Sequence, residues 1–220
     1  MSGIRRAFIT WICPWFKQQP AFTGSSDGFR LPKADELKKS ISIHIGGFYA
    51  SREPAVIETL LGSCVAVCLY DPVARIGGMN HILLPGKADL EHFDNVARYA
   101  INAMELLINR VMTIGGERQN LIAKVFGGAH VLPAISPENW MGAKNSEFVL
   151  EFLRMETISI ASRDLGGHDT RKIFFHTDSG EVLLKRISFT LYPNIGFEER
   201  KLLELARRKA EESGDVALFD

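Results

Sequence analysis

Residues 59–85 read TLLGSCVAVCLYDPVARIGGMNHILLP, two apolar runs divided by a turn signal. Val65, Val67 and Leu69 alternate with Cys64, Ala66, Cys68 and Tyr70, the period of a strand. Asp71-Pro72 breaks the run, and Ile76 to Leu84 is apolar again, with Gly77 and Gly78 near its start. Together these segments read as a β-hairpin. A two-residue turn closed by Asp71 and Ala74 sets Cys64 directly opposite His81, close enough for the side chains to touch. Pro72 suits a type I turn better than the primed hairpin turns, and a longer loop or a bulge shifts that register.

A thiol facing an imidazole is the minimum for nucleophilic catalysis by cysteine. The thiolate is the reactive form, and the imidazole takes its proton. The plainer reading is a small buried hydrophobe beside a satisfied core histidine, because cysteine is among the most buried residue types. Taken alone, Cys64 and His81 favour the plainer reading.

Outward from the hairpin, Ser40 to Tyr49 carries Ile41, Ile43 and Ile45 in alternation and reads as a strand ending at Gly46-Gly47. Ala55 to Leu61 reads as a strand leading into the Gly62-Ser63-Cys64 corner. Glu91 to Met112 is predicted helical, with Val96, Ala100, Ala103, Met104, Leu107 and Val111 at spacings of three and four. Asp89 is its candidate N-cap and Gly115-Gly116 its stop. Leu121 to Phe126 is a strand closed by Gly127-Gly128, and Asn145 is the candidate N-cap of a helix Ser146 to Met155. Thr157 to Ser162 and Lys172 to His176 are strands, and Asp178-Ser179-Gly180 turns the chain back along Glu181 to Ile187. Phe197 to Ser213 is a charged amphipathic helix with a solvated face. This pattern predicts an α+β fold, an α/β sandwich of mixed sheet with flanking helices.

The length of 220 residues suits one domain with extensions: residues 1–39 a poorly ordered N-terminal extension, 40–190 the domain, and 191–220 a C-terminal helical extension. Arg5-Arg6 and the apolar run Ala7 to Phe16 superficially resemble a short signal peptide. Pro14 interrupts that run, Trp11, Trp15 and Phe16 are bulky for a signal core, and the run is too short to span a membrane. A hydrophobic fraction of 46% and a charged fraction of 24% are ordinary for a soluble globular protein. Lys+Arg and Asp+Glu both number 26, which argues against bulk nucleic-acid binding. Cys13, Cys64 and Cys68 form no C-x-x-C pair and no zinc spacing with the six histidines, so no metal or cofactor is expected and a reduced cytoplasmic compartment fits best.

GSCVAVCLYDP followed by GGMNHILLP resembles the core signature of the CheD family, the chemoreceptor glutamine deamidases of bacterial chemotaxis. KVFGGAHVL at 124–132, MGAKNSEFVLEFL at 141–153 and DLGGHDTRKIFFHTDSGEVLLKRI at 164–187 extend the resemblance in chain order. It implies a layered α/β sandwich similar to the catalytic fold of the cytotoxic necrotizing factor toxins. It implies, as substrates, glutamines on the cytoplasmic helical bundles of methyl-accepting chemotaxis receptors, converted to glutamates that methylation then uses. The resemblance casts Cys64 as nucleophile, forming a thioester as ammonia leaves, and His81 as the base that becomes the acid for that leaving group. Backbone N–H groups of Cys64 and a neighbour in the Gly62-Ser63 corner are candidate oxyanion donors.

Family members also use a threonine upstream of the cysteine to orient the histidine. Here Thr59 is the candidate, but the family's frequent T-L-G-L-G-S-C is one residue shorter in this chain, TLLGSC. In a regular strand Thr59, five before Cys64, points away, and Glu58, six before, shares its face. A bulge or corner at Gly62 restores Thr59, and the expectation is that the chain kinks there. Glu58 is the rival.

Other residues carry plainer expectations. Asn80 faces away from His81 in a strand and reads as structural. Ser63 has no base beside it. Gly127-Gly128-Ala129 either lines a substrate groove or ends a strand. Asp164, Gly166, Gly167 and Arg171 lack the spacing of a phosphate-binding loop and read as a loop entering a strand. His130, His168 and His176 form no metal spacing. The rival class to an enzyme is a non-catalytic adaptor that binds receptors or a CheC-type phosphatase; a thiol amidase or protease of other specificity comes third. An exposed, low-pKa Cys64 points to the enzyme and a buried, inert one to the adaptor.

Overall fold

The computed structural model describes residues 38–84, 95–130 and 141–188, together with residues 201 and 204. Most of the expected N-terminal extension, the Asp89 cap and nearly all of the helix Phe197 to Ser213 lie outside the described residues.

Among the described residues, nine strands form two sheets. Strands β1 (Lys39–Ser42), β3 (Ala55–Leu61), β8 (Thr170–His176) and β9 (Val182–Ile187) make a four-stranded sheet in the order β1-β3-β8-β9. Strands β2 (Phe48–Ser51), β5 (Ile76–Ile82), β4 (Val65–Asp71), β6 (Ile122–Gly127) and β7 (Ser159–Leu165) make a five-stranded sheet in that order. Each sheet is mixed, with one parallel pair, β1 with β3 and β6 with β7. Helices α1 (Asn95–Thr113) and α2 (Met141–Met155) pack on the five-stranded sheet.

Burial explains why the sequence reads as it does. Every residue of β4 and of β5 is buried, because the helices cover one face and the second sheet covers the other. Val65, Val67, Leu69 and Ile82 join Ala100, Met104, Leu107, Ile108 and Val111 of α1 in the core under the helices. Ala66, Cys68 and Met79 join Ile57, Leu61, Ile173 and Phe175 in the core between the sheets. Removing one such Leu or Ile side chain from water stabilises the fold by about 1.5–3 kcal/mol. Strand β3 keeps cleaner alternation: Ile57, Thr59 and Leu61 face in, while Glu58 and Leu60 are partly exposed.

Four expectations are corrected. Ser40 to Tyr49 is two strands: β1 and β2 belong to different sheets, and the chain crosses between them through a turn with Gly46 at φ 80°. The helix carrying Asn145 starts at Met141, so Asn145 sits inside it. The strand after α2 starts at Ser159, because Thr157, at φ 57°, occupies the left-handed turn that ends the helix.

The fourth correction concerns the hairpin register. Asp71 pairs with Ile76 and Ala66 with His81, leaving Pro72 to Arg75 as the turn, with Arg75 at φ 56°. The Asp71 carboxylate organises this longer turn. One oxygen accepts the N–H groups of Val73 (2.8 Å) and Ala74 (2.9 Å), and the other accepts that of Glu117 (2.8 Å). The shift from the expected register is two residues, an even number, so no side chain changes face. Cys64 and His81 therefore remain on one face, as diagonal rather than direct neighbours.

Asp71→Ala removes the three charge-assisted bonds that organise this turn and is expected to lower unfolding stability by about 2–4 kcal/mol. Asp71→Asn, which keeps one carbonyl acceptor, should lose less. Denaturant melts of both variants check the order.

Candidate active site

The chain changes sheets at Gly62 and Ser63, which bend between β3 and β4. Side-chain alternation along one strand does not carry across such a corner. Thr59 points inward from the four-stranded sheet and His81 points inward from the five-stranded one, so they meet. Thr59 Oγ1 lies 2.8 Å from His81 Nδ1. Glu58 lies on the outer face, paired with Lys172 at 3.2 Å, and takes no part in the site.

The threonine hydroxyl settles the tautomer of the imidazole. Its one proton is donated to the Ile43 carbonyl at 2.8 Å. The Nδ1 contact is therefore an Nδ1–H donating to the hydroxyl oxygen. Nε2 is left as a bare lone pair, and it has no hydrogen-bond partner although it is buried. The main chain of His81 is fixed as well: its carbonyl accepts the Gly46 N–H (2.8 Å) and its N–H donates to Gly47 (3.0 Å). Burial, helped by the nearby His44, pushes the imidazole down to about 3, so the ring is neutral over the physiological range.

Cys64 stands just before the first paired residue of β4 and is 1% exposed. It belongs to the apolar cluster between the sheets, the layer into which Thr59 and His81 project. With Ala66 opposite His81, Cys64 is one diagonal step along, a Cα separation of roughly 7–8 Å that side chains can narrow. Cys68 shares the face but lies deeper along β4, and burial pushes its thiol far above the ordinary range, with Lys124 offsetting little. Neither cysteine is in a disulfide.

The corner is held by its carbonyls. The Gly62 carbonyl accepts the Ala129 N–H at 2.8 Å and the Cys64 carbonyl accepts the Gly128 N–H at 2.7 Å. Between them, the Ser63 carbonyl accepts from Asn145 Nδ2 at 2.8 Å. Gly127, at φ 114°, passes so close that a Cβ there would lie 2.1 Å from the Cys64 oxygen. The segment Gly127-Gly128-Ala129 thus ends a strand and clamps the corner. Asn145, expected as a helix cap, is instead a fully buried bridge whose Oδ1 accepts the Leu84 N–H at 2.9 Å. A signal for this was present in the sequence: Asn145 falls on the inward spacing of Phe148, Val149 and Phe152.

The remaining expected residues separate from the site. Asn80 points to the helix side, accepting the Val67 N–H (3.1 Å) and donating to the Ala103 carbonyl (3.3 Å). Arg171, on β8, spends its guanidinium on Asp164 of β7 (2.7 Å) and on the Asp169 (3.0 Å) and Gly166 (2.6 Å) carbonyls of the connecting loop. His130 and His168 stack edge to face, and no cluster able to hold a metal ion occurs among the described residues. An open cleft between the start of α2 and the β7–β8 loop is lined by Ser146, Arg163, Asp164 and His168 among others; it touches Gly128 and Ala129 but not Cys64 or His81. No helix among the described residues is long and apolar enough to cross a membrane.

The depressed His81 pKa has a measurable consequence. Below about pH 6.5 the unfolded chain takes up a proton that the native ring refuses until about pH 3. This group's stability contribution is complete above pH 6.5 and is lost towards pH 3, by up to about 1.4 kcal/mol per pH unit. The stability of wild type relative to His81→Asn should fall along that slope between pH 6.5 and 4 in urea melts. A flat difference would mean an ordinary histidine.

Residues 83–186 match the family model described as CheD chemotactic sensory transduction. A protein of Shewanella oneidensis named probable chemoreceptor glutamine deamidase CheD 1 is 42% identical over 191 residues, 83% of this chain and 88% of the relative. Probable chemoreceptor glutamine deamidases CheD of Vibrio cholerae (36% over 199 residues; 87% and 84%) and Hahella chejuensis (37% over 211 residues; 94% and 93%) are similar along nearly their whole lengths. With this identity over most of both partners, the chain belongs to the CheD family.

Proposed function

We propose that this protein is a cysteine-dependent protein-glutamine deamidase that acts in the cytoplasm on glutamines of methyl-accepting chemotaxis receptors. The observation that carries the mechanism is that the Thr59 hydroxyl touches both the Ile43 carbonyl and His81 Nδ1. With Nδ1–H committed to Thr59, the buried and unpartnered Nε2 is the free base, and Cys64 belongs to the same layer between the sheets. The likeness of the layered sandwich to the cytotoxic necrotizing factor catalytic fold belongs to the same reading.

The resting imidazole is neutral, because burial disfavours its charge. When a glutamine side chain enters, the Cys64 proton moves to Nε2 and Sγ attacks the carboxamide carbon. The new imidazolium keeps its Nδ1–H bond to Thr59. The C–N bond then breaks, Nε2 returns the proton to the nitrogen, and ammonia leaves. Water, deprotonated by Nε2, opens the thioester, giving glutamate and restoring the thiol. The corner's fixed backbone N–H groups stabilise the oxyanion in both halves. Exclusion of water from the pair strengthens each of these interactions.

A second reading has its own observation. Cys64 is 1% exposed, and a buried thiol is what an adaptor for receptors or for a CheC-type phosphatase would carry. Ammonia release from receptor cytoplasmic fragments separates the two. The deamidase reading expects turnover by wild type and by Cys68→Ala, and none by a folded Cys64→Ala; a folded, inactive wild type that still binds the fragment selects the adaptor.

His81→Asn is expected to lower the rate about 10²–10⁴-fold. Thr59→Val, which orphans Nδ1–H, is expected to lower kcat roughly 10–100-fold while Thr59→Ser retains most of it. Steady-state ammonia assays check both, and equal loss in the Ser and Val variants would remove the hydroxyl from the mechanism.

A further inference from the structure

Asn145 is an unusual occupant of its position. Asparagine is a poor residue for a helix interior, because its side chain competes for nearby backbone groups. Here both ends of a fully buried amide leave the helix altogether. Nδ2 donates to the Ser63 carbonyl at 2.8 Å and Oδ1 accepts the Leu84 N–H at 2.9 Å. The amide thus ties the entry to β4 to the exit of β5, the two chain segments that flank Cys64 and His81.

The Ser63 carbonyl belongs to the same peptide unit as the Cys64 N–H. No peptide bond here is cis, and in a planar trans peptide the C=O and N–H point in opposite directions. Helix α2 packs against the face of the five-stranded sheet that carries Val65 and Val67, whereas Cys64 belongs to the layer between the sheets. Drawing the Ser63 oxygen towards α2 therefore turns the Cys64 N–H towards the side on which the thiol and His81 stand. The flanking carbonyls of Gly62 and Cys64 are pinned by Ala129 and Gly128, but those contacts fix the neighbouring peptide units. Asn145 alone among the three anchors acts on the unit that presents the Cys64 amide.

We propose that Asn145 is a positioning residue for the oxyanion site: it holds the Ser63–Cys64 peptide so that the Cys64 N–H meets the charge developing on the glutamine oxygen. This rests on the deamidase reading. It sets Asn145 apart from Thr59, which acts on the base, and from a residue that merely stabilises the fold.

The test compares two reactions of the same thiol. Deamidation of a receptor cytoplasmic fragment passes through an oxyanion; alkylation of Cys64 by iodoacetamide is a direct displacement that makes none. Asn145→Asp keeps an acceptor for the Leu84 N–H but cannot donate to Ser63 at neutral pH, and Asn145→Leu removes both hydrogen bonds with little change in bulk. Each folded variant is expected to lose about 10-fold or more in kcat, with KM and the alkylation rate within about twofold of wild type. In wild type, a peptide aldehyde that caps Cys64 as a hemithioacetal should move the Cys64 amide proton downfield in NMR spectra, a readout that needs no variant to fold. Unchanged kcat in the variants, an equal loss in alkylation, or a Cys64 amide indifferent to the aldehyde would each overturn the assignment. Wild type that releases no ammonia while its fold is intact would instead overturn the deamidase reading beneath it.

Discussion

The hydrogen bond between Thr59 Oγ1 and His81 Nδ1 is the interaction on which the site depends. It crosses from one sheet to the other, and it is relayed by the same hydroxyl to the Ile43 carbonyl beyond β1. A hydroxyl has one proton, so a chain of two bonds through it has a direction. That direction makes Nδ1 the donor and Nε2 the base. A buried imidazole with an unmet lone pair is costly to the fold, and the proposed role of Nε2 as the base gives that cost a use. The same burial that leaves Nε2 unmet also keeps the ring neutral and therefore able to accept a proton.

The architecture supplies what this bond needs. Two sheets face each other, so residues far apart in sequence can project into one dry layer. The five-stranded sheet is covered on its other face by α1 and α2, which leaves β4 and β5 without a solvated side. Central strands of this kind are rigid, and the corner that leads into β4 is pinned through three successive carbonyls by Ala129, Asn145 and Gly128. Cys64, the proposed nucleophile, is thus carried on a backbone held from one side by the end of β6 and from the other by α2. Geometry built on strand ends and a helix interior is held more tightly than geometry built on loops alone.

Much of this is legible in the amino-acid sequence alone. Alternation in Ala55 to Leu61, the apolar runs on either side of Asp71-Pro72 and the helical spacing of Ala100, Met104, Leu107 and Val111 all identify elements that the structure contains. The hairpin register was not legible, because it depends on the Asp71 carboxylate gathering three backbone N–H groups, one of them from Glu117 on a distant segment. The pairing of Thr59 with His81 could not be derived from strand alternation, which breaks where the chain leaves one sheet for the other; the family resemblance and the Gly62 corner pointed to it. Asn145 reads as a cap in the sequence because the same residue type serves helix caps and buried bridges, and only the start of α2 at Met141 tells them apart. The division of Ser40 to Tyr49 between two sheets was hidden for a similar reason: a continuous apolar alternation does not reveal which sheet each half joins.

The central claim, that Thr59 fixes His81 as an Nδ1–H tautomer with a bare and basic Nε2, is open to one direct measurement. Nitrogen-15 NMR of the His81 ring distinguishes a protonated from an unprotonated imidazole nitrogen. The account predicts a neutral ring with Nδ1 protonated and Nε2 unprotonated throughout pH 5 to 8. A ring protonated on Nε2, or one that becomes an imidazolium near pH 6.5, would contradict it.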